Sequence, residues 1–197
     1  AKGITELDPL AIMELAPSVK ISNFIYKNNG DLTFTDLSHS WGHGTPTFTN
    51  GSAYGDLDGD GDLDLITNNS NDPAGVFENL SSDKNLNNYL RIACVGDGKN
   101  RNAIGTFVEI EYGNGEQQTQ ELFPVRGYMS VSESVIHFGL GKNAMVNKLT
   151  AIWPDGRKTV LTDLKVNQLL TLKQKDANGK GDKSIDKATL FVEQNNN

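Results

Sequence analysis

Between Gly55 and Leu65 the chain reads Gly-Asp-Leu-Asp-Gly-Asp-Gly-Asp-Leu-Asp-Leu, with carboxylates at Asp56, Asp58, Asp60, Asp62 and Asp64. Such acids repel one another, each close pair costing on the order of 1 kcal/mol or more. A cation relieves that cost. Calcium takes six to eight oxygens in a flexible shell, and Gly61 at position 6 lets alternate residues converge on one ion. Asp56, Asp58 and Asp60 are expected to give side-chain oxygens, Asp62 its backbone carbonyl, and Asp64 both carboxylate oxygens to close the shell. With free calcium at about 100 times the dissociation constant, binding adds roughly 2.7 kcal/mol to stability.

Two features separate this loop from a helix-loop-helix calcium sensor. Position 12 is Thr67 rather than Glu, and the flanks Ser52-Ala-Tyr54 and Leu63-Asp-Leu-Ile-Thr67 read as strands. Magnesium fits less well, because it accepts few crowded protein ligands. A second stretch, Asp176-Ala-Asn-Gly-Lys-Gly181, imitates the spacing, but Lys180 at position 5 opposes a cation and the stretch reads as a plain loop.

The rest of the chain predicts an all-β fold: a partial β-propeller-type repeat, then a β-sandwich or barrel-like domain, with one short N-terminal helix. Asp8 caps that helix, Pro9 opens it, and it ends before Pro17. Phe24–Tyr26 and Leu32–Asp36 flank the turn signal Asn28-Asn-Gly-Asp31 and make a hairpin. Strands are expected at Ser52–Tyr54, Leu63–Thr67 and Val76–Glu78. The polar run 81–88 marks a boundary. Seven further strands are expected at Tyr89–Val95, Thr106–Tyr112, Gln117–Phe123, Val135–Phe138, Leu149–Trp153, Lys158–Leu161 and Leu169–Lys173. The organisation is therefore residues 1–82 as a calcium-binding repeat with its helix, 87–174 as a second β-domain, and 175–197 as a polar tail or the start of a further repeat.

Charge and composition exclude some partners. A net charge of −7 repels a phosphate backbone, so no nucleic-acid partner is expected. No apolar run reaches 18 residues, so the chain is read as not membrane-spanning. The opening Ala1-Lys2-Gly3 looks like a mature start and fits either a leader already removed or one outside this sequence. The single cysteine, Cys94, lies in an alternating strand pattern and reads as a small buried thiol.

The stretch Asn23–Asp36 followed by Gly51–Leu65 resembles an FG-GAP/VCBS repeat, the calcium-loop repeat of integrin α-subunit propellers. Asn102-Ala-Ile-Gly-Thr106, Gly127-Tyr-Met-Ser130, His137-Phe-Gly-Leu-Gly141, Trp153-Pro-Asp-Gly156 and Asn167-Gln168 resemble the ASPIC/UnbV domain, which follows such repeats in many bacterial surface proteins. The resemblance implies structural calcium loops, display outside the cell, at its surface or in the periplasm, and roles in adhesion. It assigns the calcium roles to Asp56, Asp58, Asp60, Asp62 and Asp64. With one full calcium repeat, the chain is expected to be part of a longer multi-repeat protein.

No catalytic set emerges. His39 and His43 flank Trp41 in a glycine-rich loop with no third ligand placed. His137 reads as a hydrogen-bonded structural histidine. No nucleophile elbow, phosphate loop or dinucleotide fingerprint occurs. Glu109, Glu111, Glu116, Glu121 and Glu133 supply carboxylates from which a glycosidase pair can be drawn on paper. Trp41 and the Arg126–Tyr128 segment put aromatic and cationic groups in loops, where packing under a loop is the leading reading and stacking on a sugar the alternative. The expected function is a non-catalytic, calcium-stabilised surface module that binds a protein or glycan. The alternatives are a segment that caps a propeller, and a carbohydrate-active enzyme.

Overall fold

Alternation of apolar and polar residues governs where strands form here. A computed structural model describes residues 18–84 and 87–179. The helix expected before Pro17 and the apolar stretch at 188–192 lie outside the described residues. The described residues are all-β except for a single 3₁₀ turn, Gln174–Asp176.

The chain divides into two units, 1–52 with 66–76, and 53–65 with 77–197. In the first, β1 (Ile21–Ser22) pairs antiparallel with β4 (Pro46–Thr47), and β2 (Tyr26–Asn28) with β3 (Phe34–Asp36). The hairpin forms as the turn signal predicts, with its first strand moved toward the turn. Asn28 Oδ1 accepts the Gly30 N–H at 2.8 Å and Asp31 Oδ1 the Thr33 N–H at 3.0 Å. Gly30 takes φ +83°, a conformation glycine adopts without steric cost. The strands β5 (Thr49–Gly55), β6 (Asp64–Asn69) and β7 (Gly75–Phe77) follow, hydrogen-bonded in that order. The acidic run is the connection from β5 to β6.

The second unit holds the apolar core. β10 (Glu116–Glu121), β9 (Phe107–Tyr112), β12 (Met145–Ile152) and β13 (Lys158–Lys165) form one sheet in that spatial order. β11 (Val135–Gly141), β8 (Asn88–Val95) and β14 (Leu169–Lys173) form the other, with β14 parallel to β8. Leu90, Ile92, Ile136, Phe138 and Leu140 from one sheet meet Val108, Ile110, Val146, Leu149 and Ala151 from the other in one buried cluster. Both sheets have free edges in the pairing order, so this is a two-layer sandwich and not a closed barrel. Buried Trp153 fills one end, its Nε1–H donating to Thr159 Oγ1 at 2.8 Å.

Side-chain amides satisfy two of those edges. Gln118 and Gln120 of β10 donate to the Gly139 and His137 carbonyls of β11, both at 2.7 Å. Asn178 accepts from the Val160 N–H at 3.0 Å and donates to the Val160 carbonyl at 3.1 Å, as a peptide group would. The loop 176–179 therefore pairs with the first residues of the β13 edge.

Candidate functional site: the acidic loop on the sandwich face

Along β8, Leu90, Ile92 and Cys94 face the core, which turns Tyr89 and Arg91 to the opposite face. Arg91 is nonetheless only 8 % exposed, because the acidic loop covers it. The loop belongs to the same unit as the sandwich.

Backbone amides order the loop. Asp56 Oδ1 accepts from Gly59 N–H at 2.7 Å, and its Oδ2 from Gly61 N–H at 3.0 Å. Asp58 and Asp60 each cap the amide two residues on, at 3.2 and 3.0 Å. Asp64 is buried and uses both oxygens, one on Leu57 N–H at 2.9 Å and one on Asn79 N–H at 2.8 Å. Gly59 and Gly61 have φ of +84° and +97°, which explains glycine at both positions.

This folding brings oxygens of Asp56, Asp58 and Asp64 within 4.8 Å of one another. Among the described residues it is the group of acidic, His or Cys side chains that meets ligand spacing. An all-oxygen set of this kind fits a hard divalent cation. Asp62 points its carboxylate elsewhere. Its Oδ2 accepts from Ser82 N–H at 2.8 Å, and its buried Oδ1 has no hydrogen-bond partner among the described residues. Asp60 lies outside the three-residue cluster. The Asp62 N–H lowers the Asp60 pKa most strongly, yet desolvation and the charges of Asp62, Asp58 and Asp56 together hold it above its ordinary value. That is the electrostatic signature of a site crowded with negative charge.

The sandwich contributes four groups that the sequence reading did not assign to the site. Arg91 bonds Asp56 Oδ2 through one terminal nitrogen and Glu133 Oε1 through the other, the latter at 2.7 Å. Glu133 Oε2 receives the Asp56 N–H at 3.4 Å. His137 Nε2 contacts the Gly61 carbonyl at 3.0 Å, and its ring stacks on Tyr89 with centroids 5.9 Å apart. Burial, then the Asp56 charge, raises the Tyr89 phenol above its usual pKa. His137 is thus hydrogen-bonded, as its strand context suggested.

The other candidates stand apart from this site. His43 is buried, its pKa lowered by desolvation, and its backbone N–H donates to the Ser38 carbonyl at 2.7 Å. Neither His39 nor His43 joins a three-ligand group among the described residues. Cys94 is buried against the core, and burial pushes its thiol up to about 11. Trp41 and Tyr128 are both exposed.

No helix among the described residues is long and apolar enough to cross a membrane. Residues 19–67 match the family described as an FG-GAP-like repeat. Residues 96–179 match the family described as ASPIC and UnbV. Cartilage acidic protein 1 of Xenopus tropicalis is 33 % identical over 130 residues, covering 62 % of this chain. The match spans 18 % of that relative's own length. In chain order, the family matches are thus an FG-GAP-like repeat and then an ASPIC/UnbV domain.

Proposed function

We propose that this chain is a calcium-stabilised, non-catalytic binding or adhesion module that works outside the cell, at its surface or in the periplasm. The supporting observation is the Asp56, Asp58 and Asp64 cluster, whose oxygens lie within 4.8 Å on a loop set against the sandwich. Calcium there neutralises charge that the fold otherwise has to tolerate, and the FG-GAP-like match favours it over other cations. In this reading Asp60 adds a fourth side chain only by turning from its bond to the Asp62 N–H, and the Asp62 carbonyl adds a main-chain oxygen.

The ligand is a protein or a glycan. Tyr128 at 74 % exposure, with Arg126 two residues away, offers an aromatic and cationic surface of the kind that recognises either. Binding arrays of glycans and extracellular proteins, run in calcium and then in EDTA, test this reading. Calcium-dependent capture is the expected result, and absence of capture in both media removes the binding role.

A second reading is favoured by the first unit. Ile21, Phe24, Phe34 and Leu32 are 63, 62, 63 and 97 % exposed. Apolar side chains in such number suit packing against neighbouring repeats, so the chain then caps or extends a propeller. Ligand capture by the isolated chain counts against this alternative.

A further inference from the structure

We infer that Arg91 is a built-in counter-cation of the acidic loop, partly redundant with calcium, so that it stabilises the calcium-free loop more than the calcium-loaded one. The inference rests on the calcium reading above and names how that same site is regulated. Arg91 lies outside both matched stretches, 19–67 and 96–179, so neither family assignment accounts for it.

Arg91 is placed for this by its strand. Its neighbours Leu90 and Ile92 are fully buried in the sandwich core, which fixes the backbone from which the guanidinium projects. One terminal nitrogen holds Asp56, a member of the three-carboxylate cluster, and the other holds Glu133. The Asp56 side chain has no solvent exposure and that of Arg91 only 10 %. In such a place, charges interact with little screening. A buried carboxylate left without a cation is costly, and the guanidinium supplies one in the absence of metal. When calcium enters, two cations share the Asp56 carboxylate. Each then gains less from it than it would alone, because they repel one another across it. Arg91 and calcium therefore couple antagonistically. Among the described residues the buried Arg91 Nε–H finds no hydrogen-bond partner, consistent with a side chain positioned for its two carboxylates rather than for general packing.

The consequence is regulatory. The loop keeps its shape when calcium is withdrawn, and its calcium affinity is lower than five aspartates alone would give. Arg91 acts as a positioning residue and touches no ion.

The test compares wild type, Arg91→Met and Arg91→Lys by calorimetric calcium titration and by thermal melting in calcium and in EDTA. Arg91→Met is expected to bind calcium more tightly, on the order of 10-fold, a coupling ordinary for contacting groups. Its melting-temperature gain on adding calcium exceeds that of wild type. Arg91→Lys keeps the charge but loses one of the two bonds, so its gain falls between the two. If Arg91→Met folds only with calcium, the proposal is supported. If it folds in neither medium, Arg91→Lys decides, a gain above wild type supporting and an equal or smaller one overturning. Equal destabilisation of Arg91→Met in both media makes Arg91 merely structural and overturns the proposal. Failure of wild type itself to bind calcium is a different result, which removes the calcium reading on which this one stands.

Discussion

Tyr89 occupies the space that a side chain on Gly61 would need. A Cβ built on Gly61 lies 1.9 Å from the Tyr89 Cζ, and Gly61 already has φ +97°. The glycine is required twice, once by the backbone and once by the aromatic ring packed on it.

Gly61→Ala is therefore expected to lower stability by about 2 kcal/mol, from left-handed strain of roughly 1–2 kcal/mol and loss of the ring contact. The Tyr89 ring must swing off His137 to make room. Urea unfolding followed by circular dichroism measures the loss. A change within experimental error contradicts the packing described.

Asp58 and Asp64 are expected to separate metal binding from folding. Asp58 is exposed and caps only a local amide, whereas Asp64 is buried and holds two backbone N–H groups. Asp58→Asn should weaken calcium binding by at least about 10-fold, one factor of ten per ~1.4 kcal/mol of lost attraction, and leave the EDTA melting temperature nearly unchanged. Asp64→Asn should lower that temperature as well, because an amide cannot accept both bonds and one buried N–H is left unpaired at about 1–3 kcal/mol. Parallel calorimetry and melting distinguish the two.

Cys94 predicts an alkaline limit. Burial raises its folded-state pKa from 9.0 to about 11. The native state therefore holds the thiol proton more tightly than the unfolded chain. Its contribution is complete below 9.0 and is lost as pH rises through about 11. In that window stability should fall by at most about 1.4 kcal/mol per pH unit from this group. Cys94→Ala should flatten that part of the profile, and the native thiol should resist a thiol reagent until the protein unfolds.

Trp153 anchors the sandwich by packing and by one bond. Trp153→Phe is expected to cost about 2–4 kcal/mol, from the cavity left and from the Thr159 hydroxyl that loses its donor. Chemical denaturation followed by circular dichroism reads this directly. An unchanged midpoint contradicts the buried placement.

Much of the second unit was legible in residues alone, because core-facing apolar residues recur at every second position of β8, β9 and β11. The pair β1–β4 was not, since two-residue strands carry no period. The first half of β12 was missed because Asn147 and Lys148 interrupt the apolar alternation at a register shift. For the acidic loop, the spacing pointed to a nine-residue stretch in which Asp56, Asp58 and Asp64 come within 4.8 Å of one another. It did not reveal that Arg91, Glu133 and His137 support them, because those partners are 35, 77 and 76 residues away from their contacts in sequence. One signal was present. A charged residue between Leu90 and Ile92, in an otherwise apolar strand, asks for a partner on the outer face.

The most direct measurement is calorimetric titration of calcium into the wild-type chain freed of metal with EDTA and then dialysed. The account predicts saturable binding of one ion at the Asp56–Asp64 loop, accompanied by a higher melting temperature. No binding, together with identical melting in calcium and EDTA, contradicts it.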